Sequence, residues 1–372
     1  MEPDSTVLVV LLLLLAGGSI AAAIRYRPLA VKIAAGVLAV VLSAVSGILV
    51  VNIYYGYYQT WSQLSADLSG SYSKFAPANA PVPVAVRSTT KGRLESIALA
   101  GSASGISRTG LVYLPPQYFE PRYAHTRFPV VELLHGSPGN PGNWEVQLHT
   151  AEIMDKLMSE RVLGPMVLVM PAFDAGNKFE ECVDARDALD DTYISHDVPK
   201  DVRTRFRVSA VPAEWGIAGF SSGGYCAANL ALRHRRSFGA TGVIDGYFRP
   251  TDGPAAAALH FQAQAEADNN PLLLAGRLRP GVGPVPAVWV LAGTGGSKYD
   301  KGARAFIAAV RTAERVSFVR EPGSGHNFYR WRPAVPKLLA WMWGQLAPPD
   351  LRVQFPVAGP VNDSTVVSGR AP

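Results

Sequence analysis

Two uninterrupted apolar runs open the chain. Val7–Ile24 and Ile33–Ile53 contain no charged residue, and each is long enough to cross about 30 Å of hydrocarbon as a helix. Between them lies a short basic loop, Arg25-Tyr26-Arg27-Pro28-Leu29-Ala30-Val31-Lys32, which the positive-inside rule assigns to the cytoplasm. The acidic start, Met1-Glu2-Pro3-Asp4, and everything after Ile53 then face outwards. Tyr54, Tyr55, Tyr57, Tyr58 and Trp61 supply an aromatic belt at the outer interface. A cleaved signal peptide is the competing reading, and the lack of a basic residue before the first run counts against it. The chain therefore divides into a two-helix transmembrane anchor over 1–58, an extracytoplasmic tether over 59–105, a globular domain over 106–346 and a disordered tail over 347–372. The tether is rich in Ser, Ala, Gly and Pro, although Leu94–Ala98 also reads as a first edge strand.

Beyond the tether the pattern changes to short apolar strands alternating with helical spacing. Strands are predicted at 110–114, 128–134, 166–170, 215–220, 240–244, 287–291 and 316–320. Helices are predicted at 150–161, 197–206, 225–234, 301–315 and 331–346. Continuous apolar strands such as Phe128–Leu134 suit a sheet buried on both faces, and strand–helix alternation predicts a mostly parallel sheet. The long segment Arg249–Pro286, with Ala255-Ala256-Ala257-Ala258 and Leu272-Leu273-Leu274, reads as a lid or acyl-binding wall.

Composition changes this picture little. At 372 residues, 17% charged and net +6, the chain has one basic cluster, Arg233-His234-Arg235-Arg236. That cluster ends a predicted helix, where cations suit the dipole. A nucleic-acid partner is excluded on this ground. No metal-ligand cluster and no cofactor motif is visible.

Chemistry concentrates at strand ends. Gly219-Phe220-Ser221-Ser222-Gly223 is a Gly-x-Ser-x-Gly motif between a buried strand and an Ala/Leu-rich helix, the setting of a nucleophile elbow. The bland alternative is a turn whose serine caps the helix. Pro322-Gly323-Ser324-Gly325-His326 follows the last strand, so His326 is the candidate general base. The acid is expected in the loop after 287–291. Asp300 is its only carboxylate and could equally be the cap of the next helix. Asp245, at the preceding strand end, is the alternative, and Glu321 would have to turn back towards His326. His135-Gly136-Ser137 ends the early strand that normally gives an oxyanion donor. The backbone N–H groups of Ser137 and Ser222 are the candidate pair, because Pro138 has no N–H.

Several stretches resemble the esterase D family, which includes the secreted mycolyltransferases. They are Tyr113-Leu114-Pro115-Pro116, Leu133-Leu134-His135-Gly136, Arg203–Val208 with Trp215–His234, and Gly323-Ser324-Gly325-His326. The resemblance covers about residues 106 to 345 and looks like the membrane-anchored actinobacterial type. It implies an α/β-hydrolase fold acting on carboxylic esters or transferring acyl groups, with Ser221 as nucleophile and His326 as base, and the apolar content of Arg249–Pro286 suggests a lipid-like acyl chain. Two departures stand out. Gly295-Gly296 occupies a turn where members often carry a carboxylate. His135-Gly136 stands where the mycolyltransferases have Asp-Gly, which weakens a trehalose-binding reading. Cys182 and Cys226 are the only cysteines, and an outward-facing domain with one such pair favours a disulfide. The function expected is a membrane-anchored serine esterase or acyltransferase. Its partners are an ester or acyl donor and a lipid bilayer. A catalytically impaired binding or cell-envelope protein is the alternative, and a serine peptidase shares the same triad.

Overall fold

The computed structural model describes residues 1–69, 91–173, 181–185, 188–250, 263–279, 281–310, 315–323 and 325–357. The chain forms two compact units. The first holds the two apolar runs as helices α1 (Thr6–Arg25) and α2 (Leu29–Tyr55), packed along each other. Ser5 caps α1 by accepting from the Leu8 N–H, and Gly56, in the left-handed conformation at φ 68°, ends α2. The helices are 20 and 27 residues long, or about 30 and 40 Å at 1.5 Å per residue. Most of their large apolar side chains are exposed, and both helices are long and apolar enough to cross a bilayer. Asn52 ties the unit together, donating to the carbonyls of Pro3 and Tyr58 and accepting from the Tyr58 N–H. A short helix, α3 (Trp61–Leu68), follows where tether was expected.

The second unit is built on an eight-stranded sheet of order β1-β2-β4-β3-β5-β6-β7-β8. Its strands are β1 (Arg93–Ala100), β2 (Ser107–Leu114), β3 (Val130–Leu134), β4 (Val167–Met170), β5 (Trp215–Phe220), β6 (Ala240–Ile244), β7 (Ala287–Gly293) and β8 (Val316–Glu321). β1, β2 and β4 pair antiparallel, and every pairing from β4 to β8 is parallel. β3 to β7 are buried along their whole lengths, which is why they read as continuous apolar runs. The connecting helices include α4 (Thr150–Ser159), α5 (Val198–Arg205), α6 (Ser222–Arg233), α7 (Lys298–Ala309), α8 (Ala334–Leu346) and α9 (Pro349–Gln354). This is an α/β-hydrolase fold.

Three boundaries differ from expectation. β1 pairs with β2 over its whole length, so the sheet begins at Arg93 rather than near 106. Its small residues, Ser96, Ala98 and Ala100, give little amphipathic signal. The expected tail from 347 contains α9, whose Leu351 is buried. The expected lid over 249–286 contains short helices at Ala263–Asp268 and Pro271–Gly276, while 251–262 lies outside the described residues.

One buried group breaks the apolar pattern. Glu132, in the middle of β3, is fully buried, and neither carboxyl oxygen has a hydrogen-bond partner among the described residues. Burial pushes its carboxyl well above the usual carboxylate range, and the Arg203 guanidinium opposes this only in part.

Candidate active site

The sharp turn at Ser221 is set by its neighbours. Ser221 has φ 54° and ψ −122°, a conformation that costs of order 1–3 kcal/mol in a non-glycine residue unless the surroundings enforce it. Those surroundings are hydrogen bonds on both sides. The Ser221 N–H donates to the Ile244 carbonyl at the end of β6, and the N–H groups of Gly224 and Tyr225 donate to the Ser221 carbonyl. Every residue of α6 from Ser222 to Leu232 is buried. The motif's glycines follow from this close packing. A Cβ on Gly219 would lie 2.2 Å from the Gly223 carbonyl oxygen, and one on Gly223 would lie 2.2 Å from that of His135. The serine is therefore the residue of a strand–turn–helix elbow. As the residue before α6 it sits in the cap position, but its side chain makes no cap hydrogen bond.

The end of β3 meets this elbow. Leu134 pairs with Gly219, and a Cβ on Gly136 would lie 2.7 Å from the Phe220 ring and 3.2 Å from the Ser221 Cβ. The backbone at Gly136 thus passes directly against the Ser221 side chain. Among the described residues neither the Ser137 nor the Ser222 N–H has a hydrogen-bond partner. The hydroxyl oxygens of both residues are buried and likewise without a partner there. Amides without a partner among the described residues, one of them at the start of a buried helix and both near the Ser221 turn, have the chemistry to receive a developing oxyanion.

His135 is fully buried. Its ring stacks on Phe173 at 4.4 Å, its Nδ1 lies 2.8 Å from the Gly136 carbonyl oxygen, and its Nε2 has no partner among the described residues. Burial lowers its pKa to about 4, so the ring is neutral near pH 7.

The two aspartates proposed from sequence sit in different surroundings. Asp300 is buried in the first turn of α7, with Arg304 at 3.1 Å on one oxygen and Arg320 at 3.2 Å on the other. It is not the helix cap. Ser297 is, its hydroxyl accepting from the Asp300 N–H. Asp245 directly follows β6, one residue beyond the carbonyl that holds the Ser221 N–H. It is buried, its backbone is left-handed at φ 44°, and its Oδ2 accepts from the indole Nε1–H of Trp331 at 3.0 Å. Glu321 is engaged by Lys337 at 2.9 Å. The Trp331–Asp245 bond joins residues 86 apart, and no local pattern announces it.

His326 lies in the short segment His326–Arg330, which groups with the first unit, whereas Ser221, Ser137, Ser222, Asp245 and Asp300 belong to the second. Cys182 and Cys226 form a disulfide with Cα atoms 5.4 Å apart. It fastens the segment after β4 to α6, and the Cys182 N–H donates to the Cys226 sulfur. Among the described residues no group of three His, Cys, Asp or Glu side chains is placed to hold a metal ion.

Comparisons with known proteins agree with this architecture. Over 222 residues the chain is 28% identical to an uncharacterized protein of Corynebacterium glutamicum, a match covering 57% of this chain and 51% of that one. The chain thus spans about half the length of that relative. A ferulic acid esterase structure superposes with a TM-score of 0.60 at 20% identity, covering 69% of this chain and 99% of the other. An S-formylglutathione hydrolase from Agrobacterium tumefaciens gives 0.57 at 17% identity, covering 70% and 98%. Likenesses at this identity establish the fold. The family described as Putative esterase matches residues 101–342, well over half the chain. The protein belongs to that esterase family.

Proposed function

We propose that the protein is a membrane-anchored serine hydrolase or acyltransferase acting on carboxylic esters, with its catalytic unit outside the cell. The observation that carries this reading is the enforced backbone of Ser221. A non-glycine residue is held at φ 54° at the start of a buried helix, beside two amides with no partner among the described residues. A serine that merely turned the chain would not need that strain.

In this reading Ser221 Oγ attacks the ester carbonyl. His326 takes the proton and returns it to the leaving group, and the N–H groups of Ser137 and Ser222 receive the oxyanion. For the acid we favour Asp245 over Asp300. Asp300 is neutralised by two arginines, whereas Asp245 is oriented by a neutral indole beside the elbow. The acyl group then passes to water or to a second hydroxyl. The ester chemistry named for the ferulic acid esterase and the S-formylglutathione hydrolase supports the substrate class. Two helices long and apolar enough to cross a bilayer and the basic loop Arg25–Lys32 support anchoring with the sheet unit outwards.

A membrane-impermeant fluorophosphonate probe applied to intact cells tests both parts. Wild-type protein should be labelled and Ser221→Ala should not. Labelling that needs cell lysis would reverse the topology. Labelling that survives in Ser221→Ala would remove Ser221 as nucleophile.

A further inference from the structure

We propose that His135 is a positioning residue for the oxyanion site, acting through the peptide that joins Gly136 to Ser137. The inference rests on the catalytic reading above and assigns a task to a buried group which that reading leaves idle.

The argument is geometric. The Gly136 carbonyl can only accept, so His135 Nδ1, 2.8 Å from it, carries the proton. This fixes the tautomer as Nδ1–H, with Nε2 unprotonated. The same peptide unit supplies the Ser137 N–H. The peptide is trans, since the one cis bond among the described residues is Ser137–Pro138. In a trans peptide the C=O and N–H vectors are antiparallel and rotate together. Holding the Gly136 oxygen therefore aims the Ser137 N–H in the opposite direction. The carbonyl is confined on a second side as well, where a Cβ on Gly139 would come within 2.5 Å of its oxygen.

The ring itself is well held. It is fully buried, stacked on Phe173, and follows Leu134, which is locked to Gly219 in the sheet. Position in the elbow thus passes through the ring to one backbone amide. A side chain that only filled space here would not need a nitrogen. An apolar ring would stack equally well and would avoid burying an imidazole whose Nε2 has no partner among the described residues. Gly136 can drift little towards the elbow, because its Cα faces Phe220 and Ser221. Its peptide plane can still turn, and that rotation is what the His135 hydrogen bond restrains.

The test uses His135→Phe, which keeps a stacking ring and loses the donor, and His135→Asn, whose side-chain N–H lies close to the Nδ1 position. Losing an oxyanion donor outright costs roughly 10²–10³ in kcat, so a donor left present but unaimed should cost about 10-fold or more. We expect His135→Phe to lose that much kcat on a short p-nitrophenyl ester with KM kept within about twofold. Fluorophosphonate labelling should slow in parallel, and His135→Asn should recover most of both. A His135→Phe enzyme with wild-type kcat, or equal losses in the two variants, overturns the inference while leaving the catalytic reading intact. A wild-type protein that takes up no probe overturns both. Nitrogen-15 NMR of the wild-type histidines at pH 7 gives an answer independent of the variants' folding. An Nδ1–H tautomer at His135 supports the proposal, and an Nε2–H tautomer ends it.

Discussion

Asp245 and Asp300 are equally buried, follow adjacent strands of one sheet and lie within the same unit, yet they keep opposite company. Asp300 holds a guanidinium on each oxygen. Asp245 accepts from an indole that carries no charge. Two cations neutralise a carboxylate and fix it as a structural joint between α7 and β8. A neutral donor orients a carboxylate without itself neutralising the charge, which fits the role proposed for Asp245 behind a histidine. Burial alone therefore says little about a carboxyl's task, and the charge of its neighbours says more.

The contrast can be broken most sharply by mutation of each aspartate to asparagine. Asp245→Asn should lower kcat by up to about 10⁴, the loss seen when the acid of a serine-protease triad becomes asparagine, with its melting curve little changed. Asp300→Asn should keep kcat within a few-fold. Reversed outcomes, measured as ester hydrolysis, would return the acid to Asp300.

The elbow side also carries the covalent link. Replacing Cys182 and Cys226 together by serine opens a loop with a sequence separation of 44, worth about 4 kcal/mol in the chain-entropy account. Chemical denaturation should show that loss. Ester hydrolysis should fall too, because the bond holds α6, which begins beside Ser221.

Asp300→Asn should act on stability instead. Breaking a fully buried ion pair costs about 3–5 kcal/mol. Here Arg304 and Arg320 are 51% and 38% exposed, so water relieves much of the penalty and about 1–3 kcal/mol is expected. Denaturation of this variant, which should retain activity, checks the figure.

Glu132 has no hydrogen-bond donor on either oxygen among the described residues, and the Arg203 charge opposes its burial only in part. Its carboxyl is raised above the ordinary 4.5. As pH climbs past that value the unfolded chain releases the proton while the folded chain holds it, so stability falls with rising pH until the folded-state pKa is reached. Glu132→Gln cannot ionise in either state. Its melting temperature should gain on wild type as the pH is raised above 4.5, a trend that thermal denaturation over a pH series would expose.

Much of the architecture was legible because periodicity is local. Buried parallel strands read as apolar runs, α1 and α2 as uncharged apolar stretches, and the pairing of Cys182 with Cys226 from the presence of a single pair of cysteines. The Ser221 turn was legible for a physical reason as well, since Gly219 and Gly223 are required wherever backbone meets backbone. What stayed hidden depends on partners distant in sequence. Arg320 comes to Asp300 from β8, and Trp331 comes to Asp245 from 86 positions away. No spacing rule encodes those meetings. β1 was legible only as an alternative to tether, over Leu94–Ala98, because its alternation is carried by small side chains, and α9 was missed because Pro348-Pro349 reads as the end of structure rather than as a helix start.

The contacts at Gly136, Gly219 and Gly223 also bear on how this protein can change. Each glycine leaves room for a neighbouring backbone or for Ser221 itself, and each would collide if it gained one carbon. The three spaces interlock: residue 136 faces 221, 219 faces 223, and 223 faces 135. A substitution at any one needs compensating shifts at the others, so single-step drift is closed there. Divergence in substrate preference is thereby channelled to residues that surround the elbow, and a library aimed at new esters should leave these glycines untouched and vary those walls.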